Sequence, residues 1–412
     1  MDKNIVIIGA GVSGLIAALQ LEAYGYKPTI YEADTRVGGR VQSDTVNGYV
    51  LDRGFQVLLS AYPMAQKYLD YEKLSLKSFV SGSYIFKDGK RLCIGDPLRD
   101  VSLLGTTLFS SVGSFSDKIK VFKLKRMLHK KSIDAIFEAE SITTLQYLQR
   151  FGFSNAIIND FFKPFFTGIF LETELSTSSR MFEFIFKMFG EGNAVIPQKG
   201  IQEIPNQLLN QLKNSEIKYK HKVKSVRDNT IILEDNTEVT LDYCIVATEA
   251  SNIISNLSST TLTWKSTQTL YFEVDASMVF PKYMIGLLAG NENSLINSIS
   301  FPYSEANANR LLSVSVVKQH NLDETALLAQ IKQELNTHFN ITTLKHLKTY
   351  HIKNALPAIE NVCYSVFPSE TQLTNSIYLA GDTLLNGSLN AAMLSGELAA
   401  KAIHQKISGY ME

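Results

Sequence analysis

The chain has few cysteines and histidines, and they lie too far apart in sequence for the disulfide frameworks and metal sites that these residues usually form. The chain of 412 residues has three cysteines, Cys93, Cys244 and Cys363, with no CxxC motif and no histidine beside any of them. This pattern excludes a disulfide framework and a zinc site, and we expect no bound metal. The seven histidines form no recognisable Ser/His/Asp arrangement. The sequence therefore predicts a protein of a reducing compartment, the cytoplasm.

Net charge and long apolar runs are also missing. Forty Lys and Arg residues balance forty Asp and Glu residues, so we expect no nucleic-acid partner. Charged residues are 19% against a typical value of about 25%, whereas 45% are apolar, which predicts a folded chain of two or three domains. Glycines interrupt the apolar N-terminal segment, and no uncharged run of about 20 apolar residues follows. We therefore expect neither export nor a membrane span.

The N-terminal segment has the pattern of a strand, a glycine-rich turn and a helix. Residues 5–8 are continuously apolar, which is typical of a parallel strand buried on both faces, and residues 15–23 have a helical pattern. The first glycine permits the turn, the second lets a pyrophosphate approach the backbone, and the third allows close helix packing. The phosphates would then face the unpaired N–H groups of a helix N-terminus. The predicted phosphate-binding residues are Gly9, Gly11, Val12, Ser13 and Gly14.

An acidic residue follows the second predicted strand. Residues 28–31 are strand-like and end at Glu32, which is 21 positions beyond Gly11. A carboxylate at this distance binds the ribose diol of a dinucleotide and disfavours a 2′-phosphate. A glycine turn with a purely structural role is the alternative, but the strand, the helix and the acid together favour a dinucleotide site.

Residues 32–40 (EADTRVGGR) resemble the extended fingerprint of the amine oxidase and phytoene desaturase superfamily of FAD-dependent oxidoreductases. The resemblance implies FAD as the cofactor. Gly38 and Gly39 would let the backbone fold under the diphosphate, and Arg36 and Arg40 would bring cationic donors to it. A flexible loop with two solvated arginines is the alternative.

Three further segments resemble the same superfamily. Residues 52–56 (DRGFQ) resemble the segment beside the flavin ring, with Gly54 retained and Phe55 in place of a family glycine. Residues 221–248 resemble the second FAD-binding stretch, in which Val223 would hold the adenine end. Residues 377–396 are similar to the closing motif. There, Gly381 and Asp382 would lie at the ribityl chain, and a helix starting at Ser388 and Leu389 would face the flavin N1 and O2 edge.

These scattered segments imply an α/β fold in which a Rossmann-type FAD-binding domain is interleaved with an α+β substrate domain. Residues 101–190 are mostly helical in pattern, with breaks predicted at Gly152 and Pro164, and residues 269–274 and 311–317 are strand-like. The predicted FAD-binding segments are 1–75, 196–260 and 365–412, and the predicted substrate-domain segments are 76–195 and 261–364.

The resemblance implies an FAD-dependent oxidoreductase, and the residues expected in its pocket narrow the class of substrate. Amine oxidases carry an aromatic residue at the position of Ser388 in this chain. They also carry a lysine near flavin N5, where we expect this chain to have Thr267 or Gln268. Lys265 is out of register with that position. We therefore expect an FAD-dependent enzyme that dehydrogenates an apolar small molecule by hydride transfer to flavin N5, with oxygen or a quinone as acceptor. An amine or protoporphyrinogen oxidase using oxygen and a non-catalytic FAD-stabilised binding protein are the alternatives. The pocket candidates are Phe55, Gln56, Gln268 and Ser388.

Two segments outside the cofactor motifs have an ambiguous pattern. Residues 151–189 contain eleven of the 23 phenylalanines, which predicts either a helical core or the lining of an apolar substrate cavity. The stretch from Lys118 to Lys131 is a basic helical segment with an apolar face. It indicates either an ordinary solvated helix or a peripheral contact with the inner face of a membrane.

Overall fold

The computed structural model describes residues 3–257, 262–291, 293–302 and 310–409. The strands are β1 (Ile5–Ile8), β2 (Thr29–Tyr31), β3 (Ser43–Val46), β4 (Tyr49–Asp52), β5 (Leu58–Leu59), β6 (Leu76–Ser78), β7 (Gly82–Lys87), β8 (Lys90–Gly95), β9 (Ala194–Pro197), β10 (Glu216–Lys218), β11 (Val223–Arg227), β12 (Thr230–Leu233), β13 (Glu238–Thr240), β14 (Tyr243–Val246), β15 (Trp264–Val274), β16 (Ile285–Leu288), β17 (Ile296–Ser300), β18 (Arg310–Val316), β19 (Thr343–Pro357) and β20 (Ile377–Leu379). The α-helices are α1 (Val12–Ala23), α2 (Pro63–Tyr68), α3 (Leu104–Phe109), α4 (Phe115–Lys130), α5 (Ile133–Glu138), α6 (Thr144–Phe151), α7 (Asn155–Ile157), α8 (Lys163–Phe170), α9 (Ser179–Glu191), α10 (Glu203–Leu209), α11 (Glu324–Phe339) and α12 (Leu389–Ser408). Short 3₁₀ turns lie at Val101–Leu103, Ala250–Asn252, Ser255–Leu257, Ala276–Met278, Pro368–Thr371 and Asp382–Leu384.

Five parallel strands form the sheet that carries the N-terminal turn, in the order β10-β2-β1-β14-β20. Helices α1 and α12 pack on one face, where Ile5 and Ile7 belong to the main hydrophobic core. The antiparallel strands β11, β12 and β13 cover the other face, where Val6 and Ile8 are buried. Because both faces are covered, β1 is apolar at every position. The predicted Rossmann-type α/β architecture is confirmed.

A seven-stranded mixed sheet forms a second layer, in the order β19-β15-β18-β17-β16-β7-β8. Its neighbouring strands are antiparallel except β16 and β7, which are parallel. Helix α11 covers one face through Leu327, Ile331 and Leu335. At the other face, Phe161 and Phe165 of the helical layer contact a small core that contains Leu287. The strands predicted at 269–274 and 311–317 are β15 and β18 of this sheet.

The segment predicted as mostly helical forms a layer that contains α3 to α9. The predicted break at Gly152 is confirmed, because this residue ends α6 with a φ of 88°. The predicted break at Pro164 is wrong. A π-helical segment, Ile158–Phe162, joins α7 to α8, and Pro164 is the second residue of α8, so the backbone stays helical through the proline and only the hydrogen-bond pattern of the preceding turn changes. Within the described ranges, every helix is too short or too polar to span a bilayer.

The strands of the two large sheets come from different parts of the chain. The parallel sheet draws its strands from residues 1–75, 196–260 and 365–412, and the seven-stranded sheet from residues 76–195 and 261–364. The main hydrophobic core nevertheless continues from α1 and α12 into α4, α8 and α9. The domain boundaries therefore stay a prediction, and the one at residues 260–261 lies outside the described residues.

Candidate cofactor and substrate site

A cavity of about 2490 Å³ lies between the parallel sheet, the seven-stranded sheet and the helical layer. This volume exceeds twice the upper end for small-ligand sites, about 1,000 Å³, so the cavity can hold a large cofactor together with a second molecule. Most of the predicted cofactor-binding residues line it. They are Gly9, Gly11, Val12, Ser13, Glu32, Gly38, Gly39, Arg40, Gly54, Phe55, Val223, Gly381, Asp382, Ser388 and Leu389.

The glycine turn leaves open space at one end of the cavity. Gly11 caps α1, whose first turn holds no acidic residue, and a Cβ built at Gly11 would meet nothing within 4 Å. Gly38 donates its N–H to the Ala10 carbonyl at 2.9 Å and has a φ of 126°, so the loop folds directly beneath the turn. The first-turn N–H groups of α1 have no intrahelical partner and attract anions. The turn therefore fits the diphosphate of a dinucleotide.

Gly14 does not line the cavity, but it sets the packing of the turn. A Cβ built there would lie 2.0 Å from the Gly9 carbonyl oxygen, a contact that only glycine avoids. Helix α1 can therefore lie against the end of β1, which is the role predicted for the third glycine.

The Glu32 carboxylate is held at the end of β2 by two backbone N–H groups. One oxygen accepts from Ala10 at 2.6 Å and the other from Asp34 at 2.8 Å, and the side chain is 9% exposed. Both bonds orient a charged acceptor at the cavity wall, about where a ribose diol lies in a Rossmann site. The N–H groups of the glycine turn and the Glu32 carboxylate, at this end of the cavity, thus fit the nucleotide half of FAD.

Arg40 and Asp382 form a two-point ion pair across the cavity. Arg40 Nη1 lies 3.0 Å from Asp382 Oδ2, and Nη2 contacts Oδ1. The guanidinium also lies 5.1 Å from the ring centre of Trp264. Asp382 is 4% exposed, whereas the Arg40 side chain is 42% exposed and can turn a donor toward the cavity. This pair links the loop after β2 to the segment after β20.

Arg36 lies differently from the prediction. Its guanidinium donates to the Ser43 carbonyl at 2.7 Å and to Asp44 at 2.6 Å, and it does not line the cavity. Asp44 also accepts from Arg53 and Tyr350, and the hydrogen bond from Arg53 holds the pKa of Asp44 well below its usual range. Asp44 therefore holds Arg36 outside the cavity in which the diphosphate was predicted.

The structure shows which residues of β15 face the cavity. Gln268 Oε1 accepts a hydrogen bond from His320 Nε2 at 3.1 Å, and Gln268 does not line the cavity. Lys265 and Thr267 line the cavity, and so does Trp264 at the start of the strand, where the pairing of β15 with β19 is irregular between Lys265 and Thr267. Of the two positions expected beside flavin N5, only Thr267 lines the cavity, and that Lys265 is out of register with this position stays a prediction.

Lys265 is the basic side chain that β15 adds to the cavity. Its ammonium donates to the Phe170 carbonyl at 3.0 Å and to Thr177 Oγ1 at 3.1 Å, and burial lowers the pKa of Lys265. Asn297 was also missed by the sequence reasoning. Its Nδ2 atom is buried at the cavity with no hydrogen-bond partner among the described residues. Nothing in the local sequence distinguishes this asparagine from others.

The residues predicted beside the flavin ring are held by the local backbone. Gly54 has a φ of 97°, and the Phe55 ring packs edge-on against Phe79 with centres 6.2 Å apart. Gln56 lines the cavity and donates its amide to the carbonyls of Arg40 and Arg53, each at 2.9 Å. Phe55 is therefore a fixed apolar wall.

Ser388 caps the longest helix, α12. Its hydroxyl accepts from the Ala391 N–H at 3.1 Å and donates to Asn386 at 2.7 Å, and the first turn holds no acidic residue. The predicted start of this helix is confirmed. Its N-terminal end opens on the cavity, where it favours negative charge by about 0.3–1 kcal/mol.

The phenylalanine-rich segment serves both of the roles considered for it. Phe162, Phe166, Phe182 and Phe184 are completely buried in the main core. Other members of the same helices face the cavity: Phe161, Phe165, Phe170, Phe186 and Phe189. One part of the cavity is therefore walled by aromatic rings.

Asp52, just before the Gly54 turn, makes stability depend on pH. Its Oδ1 atom accepts from Ser43 and from the Ile201 N–H, but burial raises the pKa of Asp52 to about 6. The folded state then binds a proton that the unfolded chain, with a carboxyl pKa of about 3.9, has released, so stability falls as pH rises between these values. We expect Asp52→Asn to raise the melting temperature above pH 6 and to change it little near pH 4. A difference that is constant across thermal unfolding series from pH 4 to 8 would contradict this.

The comparisons with known proteins agree with this geometry. A model of the flavin-containing amine oxidoreductase family matches residues 12–404. Among curated proteins, protoporphyrinogen oxidase 2 of Arabidopsis thaliana is 31% identical over 170 residues, which are 40% of this chain and 32% of that protein. A 4,4′-diaponeurosporene oxygenase of Staphylococcus aureus is 32% identical over 81 residues, 20% of this chain and 16% of that protein. The alignments thus span about a third of the first relative and a sixth of the second.

Solved structures extend the likeness to the whole fold. Cyclohexylamine oxidase from Brevibacterium oxydans IH-35A has a TM-score of 0.70 at 13% identity, covering 99% of this chain and 100% of that one. A CLA-producing fatty acid isomerase from P. acnes has a TM-score of 0.71 at 15% identity, covering 96% and 97%. These identities show a shared fold. Because the family match covers nearly all of the sequence, the chain belongs to the flavin-containing amine oxidoreductase family.

Proposed function

We propose that the chain dehydrogenates an apolar or amphiphilic small molecule by hydride transfer to flavin N5. The observation that carries the proposal is the aromatic wall of Phe161, Phe165, Phe186 and Phe189 in the same cavity as the glycine turn. Large ligand sites with apolar walls select apolar ligands, and polar groups placed among them fix the orientation. The relatives named for diaponeurosporene and for a fatty acid support this substrate class.

The residues of the chain would divide the work between cofactor and substrate. FAD, when bound, supplies the hydride acceptor. Glu32 would accept hydrogen bonds from the ribose, and Arg40 and Asp382 would hold the diphosphate and ribityl part. Phe55 would exclude water and orient the substrate. The N-terminal end of α12 would stabilise negative charge on the reduced cofactor.

Anaerobic stopped-flow reduction tests this substrate class. We expect a polyene, a fatty acid or a porphyrinogen to bleach the flavin absorbance about tenfold faster or more than benzylamine or putrescine, because orientation in an apolar cavity governs the rate. Adding oxygen or a quinone afterwards identifies the acceptor. Bleaching by the amines alone would overturn the proposal. An oxidised flavin with every donor would instead support the non-catalytic alternative.

Amine oxidation is the second candidate, and Lys265 favours it. The expected lack of a lysine at Thr267 or Gln268 was one of three arguments against amines, and Lys265, two residues before Thr267, lines the cavity. The other two arguments, Ser388 and Phe55, still stand. If amines are substrates, Lys265→Met should slow flavin reduction by benzylamine and leave reduction by an apolar donor nearly unchanged.

The assignment of Glu32 to the cofactor has its own test. We expect Glu32→Ala to weaken FAD binding by about 1–3 kcal/mol, because charge-assisted hydrogen bonds at a buried site are lost. Titration of the apoprotein with FAD measures the change. Glu216→Ala, an exposed acid on the neighbouring strand β10, is the matched control and should bind FAD as wild type does. Equal affinities for both variants would remove Glu32 from the site.

A further inference from the structure

Large apolar side chains are exposed mainly in one region of the surface. Among the described residues, fourteen such side chains are exposed, and nine of them lie between residues 98 and 127. Phe109 is 90% exposed, Val101 76% and Leu98 68%. We call these nine residues the mouth patch: Leu98, Val101, Leu104, Leu108, Phe109, Phe115, Ile119, Phe122 and Met127. A concentration of exposed apolar side chains of this kind marks a binding surface.

The mouth patch surrounds an opening of the cavity. Six of its members are exposed to solvent and also line the cavity. They are Leu98, Leu104, Leu108, Phe115, Ile119 and Phe122. The route from solvent to the aromatic wall therefore passes between apolar side chains.

Helix α4 has two apolar faces, and only one of them is covered. Leu124 and Leu128 are completely buried in the main core, which also holds α9. Phe115, Ile119 and Phe122 follow one another at spacings of four and three residues, so they share a second face, which is exposed. Packing within the fold accounts for the first face and leaves the second without a partner in the described chain.

The charge of this region is strongly positive. Residues 96–131 contain eight Lys and Arg residues and three Asp residues, in a chain whose charges balance overall. Lys123, Arg126 and Lys130 of α4 are exposed, and none of them forms an ion pair with another described residue. An apolar face next to unpaired cations is the pattern of a helix that lies in the interface of an anionic membrane.

We propose that the mouth patch docks on an anionic phospholipid bilayer, with its apolar side chains in the headgroup and acyl boundary and Lys123, Arg126 and Lys130 at the lipid phosphates. The positive charge of this region complements an anionic lipid surface. Because the mouth patch surrounds the opening of the cavity, docking places that opening at the bilayer. An apolar molecule dissolved in the bilayer enters the cavity without crossing water. The docking itself does not rest on the proposed reaction, since vesicle binding requires no turnover.

Flotation of the FAD-loaded full chain with phosphatidylcholine vesicles, with and without phosphatidylglycerol, tests the docking. We expect binding to the vesicles with phosphatidylglycerol and its loss at high salt, because the charges are screened. The triple variant Val101→Ser, Phe109→Ser, Met127→Ser should weaken binding about tenfold or more. These three side chains are exposed and do not line the cavity, so flavin content should be unchanged. The matched control is Leu322→Ser, Leu344→Ser, Phe367→Ser, with similar exposures of 38%, 57% and 77%, and should bind as wild type does.

Charge reversal separates the cations from the apolar side chains. Lys123→Glu, Arg126→Glu, Lys130→Glu should reduce binding to phosphatidylglycerol vesicles at least about tenfold. The same reversal at the exposed Lys27, Lys90 and Lys332 should have little effect. Absence of binding to both vesicle types, or equal loss in the two charge variants, would overturn the proposal. So would a dimer that forms without lipid and dissociates in the apolar variant, because the patch would then cover a second copy. Each of these results leaves the stopped-flow test of the reaction unaffected.

Discussion

Gly14→Ala should produce a protein that loses FAD on purification and unfolds at a clearly lower temperature than wild type. The new Cβ would lie 2.0 Å from the carbonyl oxygen of Gly9 and 3.2 Å from its carbon. Both are backbone atoms, so no side-chain rotation can relieve the contact. Helix α1 would have to move away from the turn, and its N-terminal N–H groups would move with it. Overpacking in a core costs about 1–3 kcal/mol and occasionally more, and we expect the upper end here.

Gly105→Ala is the matched control for this substitution. Gly105 lies in α3, and a Cβ built there meets nothing within 4 Å. Alanine is also the better helix former, so the control should be as stable as wild type or slightly more stable. Thermal unfolding and the ratio of flavin to protein absorbance measure both effects. If Gly14→Ala retained FAD and melted with the control, the third glycine would have no packing role.

Removing Arg40 should have the second large effect. Arg40→Ala leaves the Asp382 carboxylate, 4% exposed, without its ion-pair partner. Deleting one partner of a buried pair costs about 3–5 kcal/mol, and we expect the lower end because the Arg40 side chain is 42% exposed. FAD affinity should fall as well, since a cationic donor at the cavity is lost.

The double variant Arg40→Ala, Asp382→Asn separates stability from binding. It removes the unpaired charge, so most of the lost stability should return, whereas FAD affinity should stay low. Arg150→Ala is the matched surface control, because Arg150 and Glu140 form an exposed pair at 3.1 Å. Its loss should change the free energy of unfolding by about 0–1 kcal/mol. Denaturant unfolding and FAD titration of the four proteins, wild type included, provide the comparison. A double variant no more stable than Arg40→Ala would contradict the ion-pair argument.

The corrections share a physical cause. Arg36 was assigned to the diphosphate because residues 32–40 resemble the family fingerprint, but Asp44, just after that fingerprint, binds it instead. Gln268 was assigned to the pocket from the position expected for a family lysine, whereas the register of β15 against β18 and β19 decides which residues of that strand face the cavity. In both cases a contact outside the motif determined the direction of a side chain.

The glycine turn, Glu32 and the helix start at Ser388 could be predicted from the sequence because each depends on local geometry: a strand end, a turn that requires glycine and a helix cap lie within a few residues of one another. These local features predicted a dinucleotide site, and the resemblance of residues 32–40 to a known superfamily implied FAD and the fold class. The cavity is different, because its walls come from segments separated by up to hundreds of positions. Only the packing of the helical layer on the seven-stranded sheet decided which phenylalanines fill the core, which line the cavity, and which apolar side chains remain exposed at its mouth. A helix pattern shows that α4 has apolar faces, but the number of faces that the rest of the chain covers is a property of the tertiary structure.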